Sequence, residues 1–238
     1  MALISVLTPS FNKPEHLPEA IQSVLNQTLD DFEYIIIDNS TDRNAKAAIK
    51  GIGNTLARHD KRIKFWFEDM ESTRDSGIYP TAQLINRFYE HHAQGDYLFY
   101  LSDDDILKPN CFEELAAVLD SDDKYKVAYC NIDQQRERIF GWKDMGLMPC
   151  KVTDGVLTHV NTVDCYMDGG QALFKRECLK ELEQPYYPTS YKENIANHCD
   201  GIFLQKLLDK FSFYPVKNKD PLVTHRRTKK SKWVSNED

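Results

Sequence analysis

The densest group of reactive side chains is the triplet Asp103-Asp104-Asp105, which directly follows an apolar run at residues 97–101. Like charges at one strand end repel each other, and a divalent cation would remove that cost. Carboxylate oxygens suit Mg²⁺ or Mn²⁺, and a cation with open coordination positions is well placed to hold a diphosphate. The alternative is a solvated acidic turn that also caps the helix near Asn110. The triplet alone leaves both interpretations open.

The elements that position this triplet alternate between short apolar runs and helical patterns. Strands are predicted at residues 3–7, 32–37, 63–67 and 97–101. Apolar residues at helical spacing predict a helix between each pair of strands, with faces at Leu17-Ile21-Val24-Leu25, Ala48-Ile49-Ile52-Leu56 and Ala82-Leu84-Ile85-Phe88-Tyr89. This alternation predicts an α/β fold with a doubly wound, mainly parallel sheet. Ligands bind beyond the carboxyl ends of such strands, where polar residues follow at 8–12, 38–42 and 102–105.

The second half of the chain is less regular. Helices are predicted around residues 112–119, 176–183 and 202–208, and strands at 127–131, 171–174 and 211–216. Residues 134–168 are interpreted as a loop-rich stretch. A single α/β domain is predicted, with halves at 1–109 and 110–220 and a basic C-terminal tail at 221–238, of which residues 226–232 are expected to be mobile.

Charge and composition limit the classes of function. The net charge of −7 argues against nucleic-acid binding, because neutralising phosphates requires a basic face. None of the 6 cysteines forms a CxxC pair, which argues against a zinc ribbon or a thioredoxin-like motif. We interpret them as reduced thiols of a soluble, cytoplasmic protein, since no secretory signal precedes the first strand. No stretch reaches the roughly 20 apolar residues of a membrane span, so any membrane contact is expected to be peripheral.

Four signatures within the first 120 residues resemble those of glycosyltransferase family 2. They are the opening strand and turn, the end of the first helix, the second strand, and the strand with its DxD-type motif, at residues 4–12, 23–28, 32–40 and 95–105. The resemblance is to small bacterial members associated with spore-coat or surface polysaccharide. It implies a GT-A fold with a nucleotide-binding half at 1–109 and a smaller acceptor-side α+β half at 110–220. One departure is Ser102, which stands where the first acidic residue of the motif is usual.

The resemblance implies a donor site for a nucleoside-diphosphate sugar, with uridine as the expected nucleoside. Thr8 and Phe11 would flank the nucleoside, and Asp38 would accept a hydrogen bond from the base. Arg74 would contact base or phosphate, and Asp103 would contact the ribose. Three of these residues have structural alternatives: a hydrophobic contact for Phe11, an Asx turn for Asp38 and a surface ion pair for Arg74.

The resemblance also implies the metal and catalytic residues. Asp104 would be the principal ligand of Mn²⁺ or Mg²⁺, with Asp105 beside it. His225 would be a further ligand from the C-terminal segment, although a lone histidine is also commonly an ordinary surface residue. Asp200, at the start of a predicted helix, would deprotonate the acceptor hydroxyl, although an aspartate there is also an ordinary N-cap. Asp168 resembles an acceptor-side position.

These roles imply a single displacement that transfers the sugar to a hydroxyl of a glycan or related acceptor and inverts the anomeric centre. A nucleotidyltransferase would also use carboxylate-held metals, but a glycine-rich phosphate loop is missing from the turn at residues 8–12. A non-catalytic sugar-nucleotide or glycan-binding module is the other alternative. Loss of the base would favour such a module, and Asp200 is present.

Overall fold

A computed structural model of the chain describes residues 3–68, 80–138, 141–147, 168–189 and 199–228. Arg74 therefore lies outside the described residues, and its predicted role stays a prediction. In the described part, strands β1 to β11 are Ile4–Ser10, Phe32–Asp38, Ile63–Phe67, Tyr97–Tyr100, Ile106–Leu107, Val127–Tyr129, Ile132–Arg138, Gly141–Leu147, Ala172–Lys175, Phe213–Pro215 and Val223–Arg227. Helices α1 to α5 are Leu17–Leu25, Arg43–His59, Pro80–His91, Cys111–Asp120 and Cys199–Leu208, and short 3₁₀ helices span Gly169–Gln171 and Arg176–Glu181.

The main sheet has seven strands in the order β10-β6-β9-β4-β1-β2-β3. Strands β1 to β4 are mutually parallel, as the alternating pattern predicts, and β9 runs antiparallel between β4 and β6. Both faces of the sheet are covered: Ile36 packs into one buried apolar cluster, whereas its neighbours Ile35 and Ile37 pack into another. This two-sided burial explains why β2 is a continuous apolar run rather than an alternating one.

A second sheet of four strands, in the order β5-β11-β7-β8, corrects two of the sequence-based predictions. The interpretation of residues 134–168 as loop-rich is wrong where β7 and β8 pair as an antiparallel hairpin. The prediction that the tail is mobile from Arg226 is wrong for Arg226 and Arg227, because both belong to β11 and pair with residues of β7. Both errors have one cause: these strands are rich in charged residues, so they lack the apolar pattern that indicates a strand.

None of the helices in the described part of the chain combines the length and the apolar composition needed to cross a bilayer. Of the cysteines in this part, Cys111, Cys130 and Cys178 are buried free thiols, in agreement with their interpretation as reduced residues of the core.

Candidate active site

The acidic triplet lies where the carboxyl ends of the parallel strands meet. It follows β4, which pairs with β1, and β1 pairs with β2 so that Ser10 stands opposite Asp38. All three carboxylates are buried, with exposed fractions of 4% for Asp103, 3% for Asp104 and 0% for Asp105. Burial of this degree contradicts the alternative of a solvated acidic turn. Buried carboxylates require compensating partners, and the partners of the three residues differ.

Lys13 compensates the first two carboxylates. Its Nζ lies 3.2 Å from an oxygen of Asp103 and 2.6 Å from an oxygen of Asp104, and Ser102 Oγ donates to the other Asp104 oxygen at 2.9 Å. Burial, with the negative charge of Asp104, raises the pKa of Asp103 to about 6 even though Lys13 opposes the shift. Burial also disfavours the charged form of Asp104, but Lys13 and Ser102 outweigh it and hold the pKa of Asp104 below its usual value.

The third carboxylate has different partners. Asp105 accepts a hydrogen bond of 2.9 Å from the backbone N–H of Arg226, and it lies 3.3 Å from Nδ1 of His225. An oxygen of Asp168 lies 3.7 Å from the same His225 nitrogen. One ligand atom from each of Asp105, Asp168 and His225 can be chosen so that all three lie within 4.8 Å of one another. Strand β11 is therefore needed at the site, because it carries His225 to the triplet from 120 residues away.

Electrostatics tie these three side chains together. Burial alone would lower the pKa of His225, but the negative charges of Asp105 and Asp168 and the contact with Asp105 raise it to about 10. Burial raises the pKa of Asp168, and the charge of Asp105 adds to the effect while His225 opposes it. Two carboxylates and one imidazole therefore form a compact group whose atom types suit a divalent cation.

Asp200 continues this line of titratable side chains at the first turn of α5. Its Oδ2 accepts a hydrogen bond of 3.2 Å from the N–H of Gly169, directly after Asp168. A side chain at Gly169 would place its Cβ 3.3 Å from Cβ of Asp200 and 3.0 Å from the ring of Tyr100, so glycine permits this close approach. Burial and the charge of Asp168 raise the pKa of Asp200 to about 6. The carboxylate is thus poised near neutral pH, as a general base requires.

The predicted nucleoside residues lie on the other side of the triplet. Phe11 is 40% exposed, which contradicts the alternative of a hydrophobic contact beneath the turn, and its N–H donates to Asp103 at 3.1 Å. Asp38 is buried and accepts from the N–H and the hydroxyl of Ser40, so the Asx turn is present. Thr8 is buried and its Oγ1 lies 3.0 Å from the hydroxyl of Tyr34, which makes it a support beneath the turn.

Comparison with known sequences shows the family to which the chain belongs. The model of glycosyl transferase family 2 matches residues 5–69 and 86–183, more than half of the chain. The chain belongs to this family.

Two curated relatives are similar in sequence. Protein CgeD of Bacillus subtilis (strain 168) is 33% identical over 216 residues, which is 90% of this chain and 48% of CgeD. The poly(ribitol-phosphate) beta-N-acetylglucosaminyltransferase TarP of Staphylococcus aureus (strain N315) is 30% identical over 117 residues, which is 48% of this chain and 32% of TarP. The chain therefore spans half or less of the length of these two relatives.

A solved structure shares the fold. TarS 1-349 of S. aureus in complex with UDP-GlcNAc superposes with a TM-score of 0.66 at 16% identity, covering 94% of this chain and 58% of that chain. Together with the mainly parallel central sheet, this similarity confirms the predicted GT-A fold. At this identity the likeness concerns the fold alone.

Proposed function

We propose that this chain is an inverting glycosyltransferase that moves a sugar from a uridine-diphosphate donor to a hydroxyl of a saccharide or related acceptor. The observation that carries the proposal is the line of side chains Asp105, His225, Asp168 and Asp200, which starts at the acidic triplet, while Asp103 of the same triplet holds the backbone of the exposed Phe11. N-acetylglucosamine is the sugar we favour, because TarP is named for its transfer and TarS was solved with UDP-GlcNAc.

The donor half of the proposal rests on the turns that follow β1 and β2. The Phe11 ring is exposed and fixed at its backbone by Asp103, so it offers a flat apolar surface on which a uracil base can stack. Asp103 is then the nearest carboxylate for the ribose hydroxyls. Asp38, buried at the end of β2 and oriented by Ser40, is the residue we assign to the imide N–H of uracil.

A divalent cation, Mn²⁺ or Mg²⁺, fits the group formed by Asp105, Asp168 and His225. The fit rests on two carboxylates and an imidazole whose ligand atoms lie within 4.8 Å of one another. Asp104, the principal ligand implied by the family resemblance, lies against Lys13 instead. When bound, such a cation stabilises the negative charge that develops on the departing diphosphate.

The chain's own contribution to the chemistry centres on Asp200. Above pH about 6 its carboxylate is ionised and accepts the proton of the acceptor hydroxyl as that oxygen attacks the anomeric carbon. The hydrogen bond from the N–H of Gly169 orients the carboxylate, and Asp168, the residue before Gly169, contacts His225. A single in-line displacement inverts the anomeric centre, so no covalent nucleophile is required.

Isothermal calorimetry with uridine diphosphate tests the donor site directly. We expect binding that is tighter with Mn²⁺ than with chelator. We also expect Phe11→Ala to weaken it by about tenfold or more, since stacking of a base on an aromatic ring is worth about 1–3 kcal/mol. The matched control is Tyr125→Ala, because Tyr125 is a partly exposed aromatic residue that precedes β6 and therefore lies at the amino-terminal edge of the sheet, opposite the site.

Three results would count against the donor assignment. Equal affinity with Mn²⁺ and with chelator would remove the metal from the mechanism. Tighter binding of guanosine or thymidine diphosphate would overturn the base assignment. Equal losses of uridine diphosphate affinity in Phe11→Ala and Tyr125→Ala would contradict stacking of the base on Phe11.

A further inference from the structure

The face of the second sheet that carries His225 continues into a row of cations. Strand register pairs Arg227 of β11 with Arg136 of β7, and Arg136 with Lys143 of β8. Paired residues on adjacent strands share a face, and residues two apart on one strand also share a face. Arg227, Arg136 and Lys143, here called the cationic row, therefore stand side by side on the face of His225.

The acidic residues of the same strands lie on the opposite face. Along β7, Asp133 is three residues before Arg136 and Glu137 is one residue after it. Because successive residues of a strand point to opposite faces, both carboxylates lie on the face opposite the cationic row. Asp144 pairs with Gln135 and shares that opposite face. The cation on the acidic face, Arg226, is buried and contacts Glu19. Charge is therefore segregated between the two faces rather than mixed.

Such a row is unfavourable without a ligand. Like charges directly opposite each other on adjacent strands destabilise a sheet. None of the three forms an ion pair with a described carboxylate, and Nε of Arg227 is buried without a hydrogen-bond partner among the described residues. Among the described residues, three cations therefore stand in register while the carboxylates of the same strands lie on the other face, and this arrangement is complementary to an anion.

The dimensions of the row indicate which anion it fits. Arg227 is two residues beyond His225, about 7 Å along the strand, and the row extends over three strands, about 10 Å from first to last. A diphosphate held at Asp105 and His225 is too short to reach its outer members, since its two phosphorus atoms share one bridging oxygen. The ligand must therefore carry repeated charges beyond the donor.

We propose that the cationic row binds an acceptor whose backbone carries repeated oxyanions, either phosphodiester or carboxylate groups. This inference rests on the proposed function and names the substrate class of the same site. The row begins beside His225 at the reacting centre, so an extended acceptor chain that contacts the row also passes the site. Because the protein has a net charge of −7, this cationic face is a local feature and not part of a generally basic surface.

Binding of fluorescent oligomers to the full chain, in the absence of donor, tests the proposal. The probes are a glycerol-phosphate oligomer, an oligogalacturonate and a neutral dextran of equal length. We expect one of the two anionic probes to bind, and Arg136→Gln/Lys143→Gln to weaken it by about tenfold, the sum of two exposed charge contacts. The control Lys50→Gln/Lys61→Gln removes the same charge from exposed positions in α2 and the turn before β3 and is expected to bind normally.

The same experiment separates the alternatives. The phosphodiester and carboxylate probes distinguish the two sources of oxyanion. Equal binding by the row variant and the control variant would overturn the proposal, as would preference for neutral dextran. Tighter binding to phosphatidylglycerol vesicles than to either oligomer would assign the row to a membrane surface instead. Uridine diphosphate affinity, measured in parallel, is expected to be unchanged in the row variant, so failure here is distinguishable from failure of the donor site.

Discussion

Replacing Asp200 with asparagine is expected to reduce sugar transfer by about 100-fold or more, the usual scale of general-base catalysis, while leaving the protein folded. Asparagine is also a good N-cap, and its side-chain carbonyl can accept the hydrogen bond from Gly169 that the carboxylate accepts now. It cannot take a proton near neutral pH. Affinity for uridine diphosphate and Mn²⁺ is expected to be unchanged, because Asp105, Asp168 and His225 are retained.

A melting curve paired with an assay of UDP release from UDP-GlcNAc checks this expectation. The matched control is Asp209→Asn, at an exposed position directly after α5. The pH profile adds a second readout. The wild-type rate is expected to rise with pH through about 6, as Asp200 loses its proton, and the variant is expected to lack this rise. A stable variant with near-normal transfer would make Asp200 a cap only, and the base would then be sought at Asp168.

The substitution Asp105→Asn is expected to have the second large effect, on the metal. Asp105 is fully buried between His225 and the N–H of Arg226, and an asparagine carbonyl can keep the backbone hydrogen bond while the ligand charge is lost. Loss of a residue that merely orients a ligand costs about 10–100-fold in metal affinity, so loss of a ligand is expected to exceed that range. A Mn²⁺ titration in the presence of uridine diphosphate measures the effect.

Asp104→Asn is the matched comparison, because it removes the same charge one residue away. Asp104 is held by Lys13 and Ser102, so we expect its loss to weaken Mn²⁺ binding less than the loss of Asp105. The opposite order would return the principal ligand to Asp104, as the family resemblance implies, and would make Asp105 a support of the loop.

Much of the first half of the fold follows from the sequence because its signals are local. The apolar runs that become β1, β2 and β4 are buried on both sides, whereas β3 is the partly exposed edge strand. Three of the four runs end in polar turns that the parallel topology brings to one edge. Phe11, Asp38 and the acidic triplet are placed at one edge of the sheet by the rule that ligands bind beyond the carboxyl ends of parallel strands.

The remaining features depend on contacts between distant parts of the chain. Lys13 reads as an ordinary surface lysine, and only the packed turn shows that it compensates Asp103 and Asp104. The grouping of Asp168 with His225 requires β11, whose charged sequence resembles a tail. Strand β11 is held against the site by Arg226, whose side chain donates to the carbonyl of Asp104 and to the carboxylate of Glu19. Both partners are distant in the sequence, so no local pattern predicts these contacts.

The most direct test of inverting transfer from a UDP-sugar uses water as the acceptor, so it does not require the natural acceptor. The protein is incubated with UDP-N-acetyl-α-glucosamine and Mn²⁺, and the first-formed free sugar is followed by proton NMR before mutarotation equilibrates it. Release of the β anomer together with an equal amount of uridine diphosphate, suppressed by chelator, is the predicted result. Initial release of the α anomer, or no release of uridine diphosphate while the protein remains folded, would contradict it.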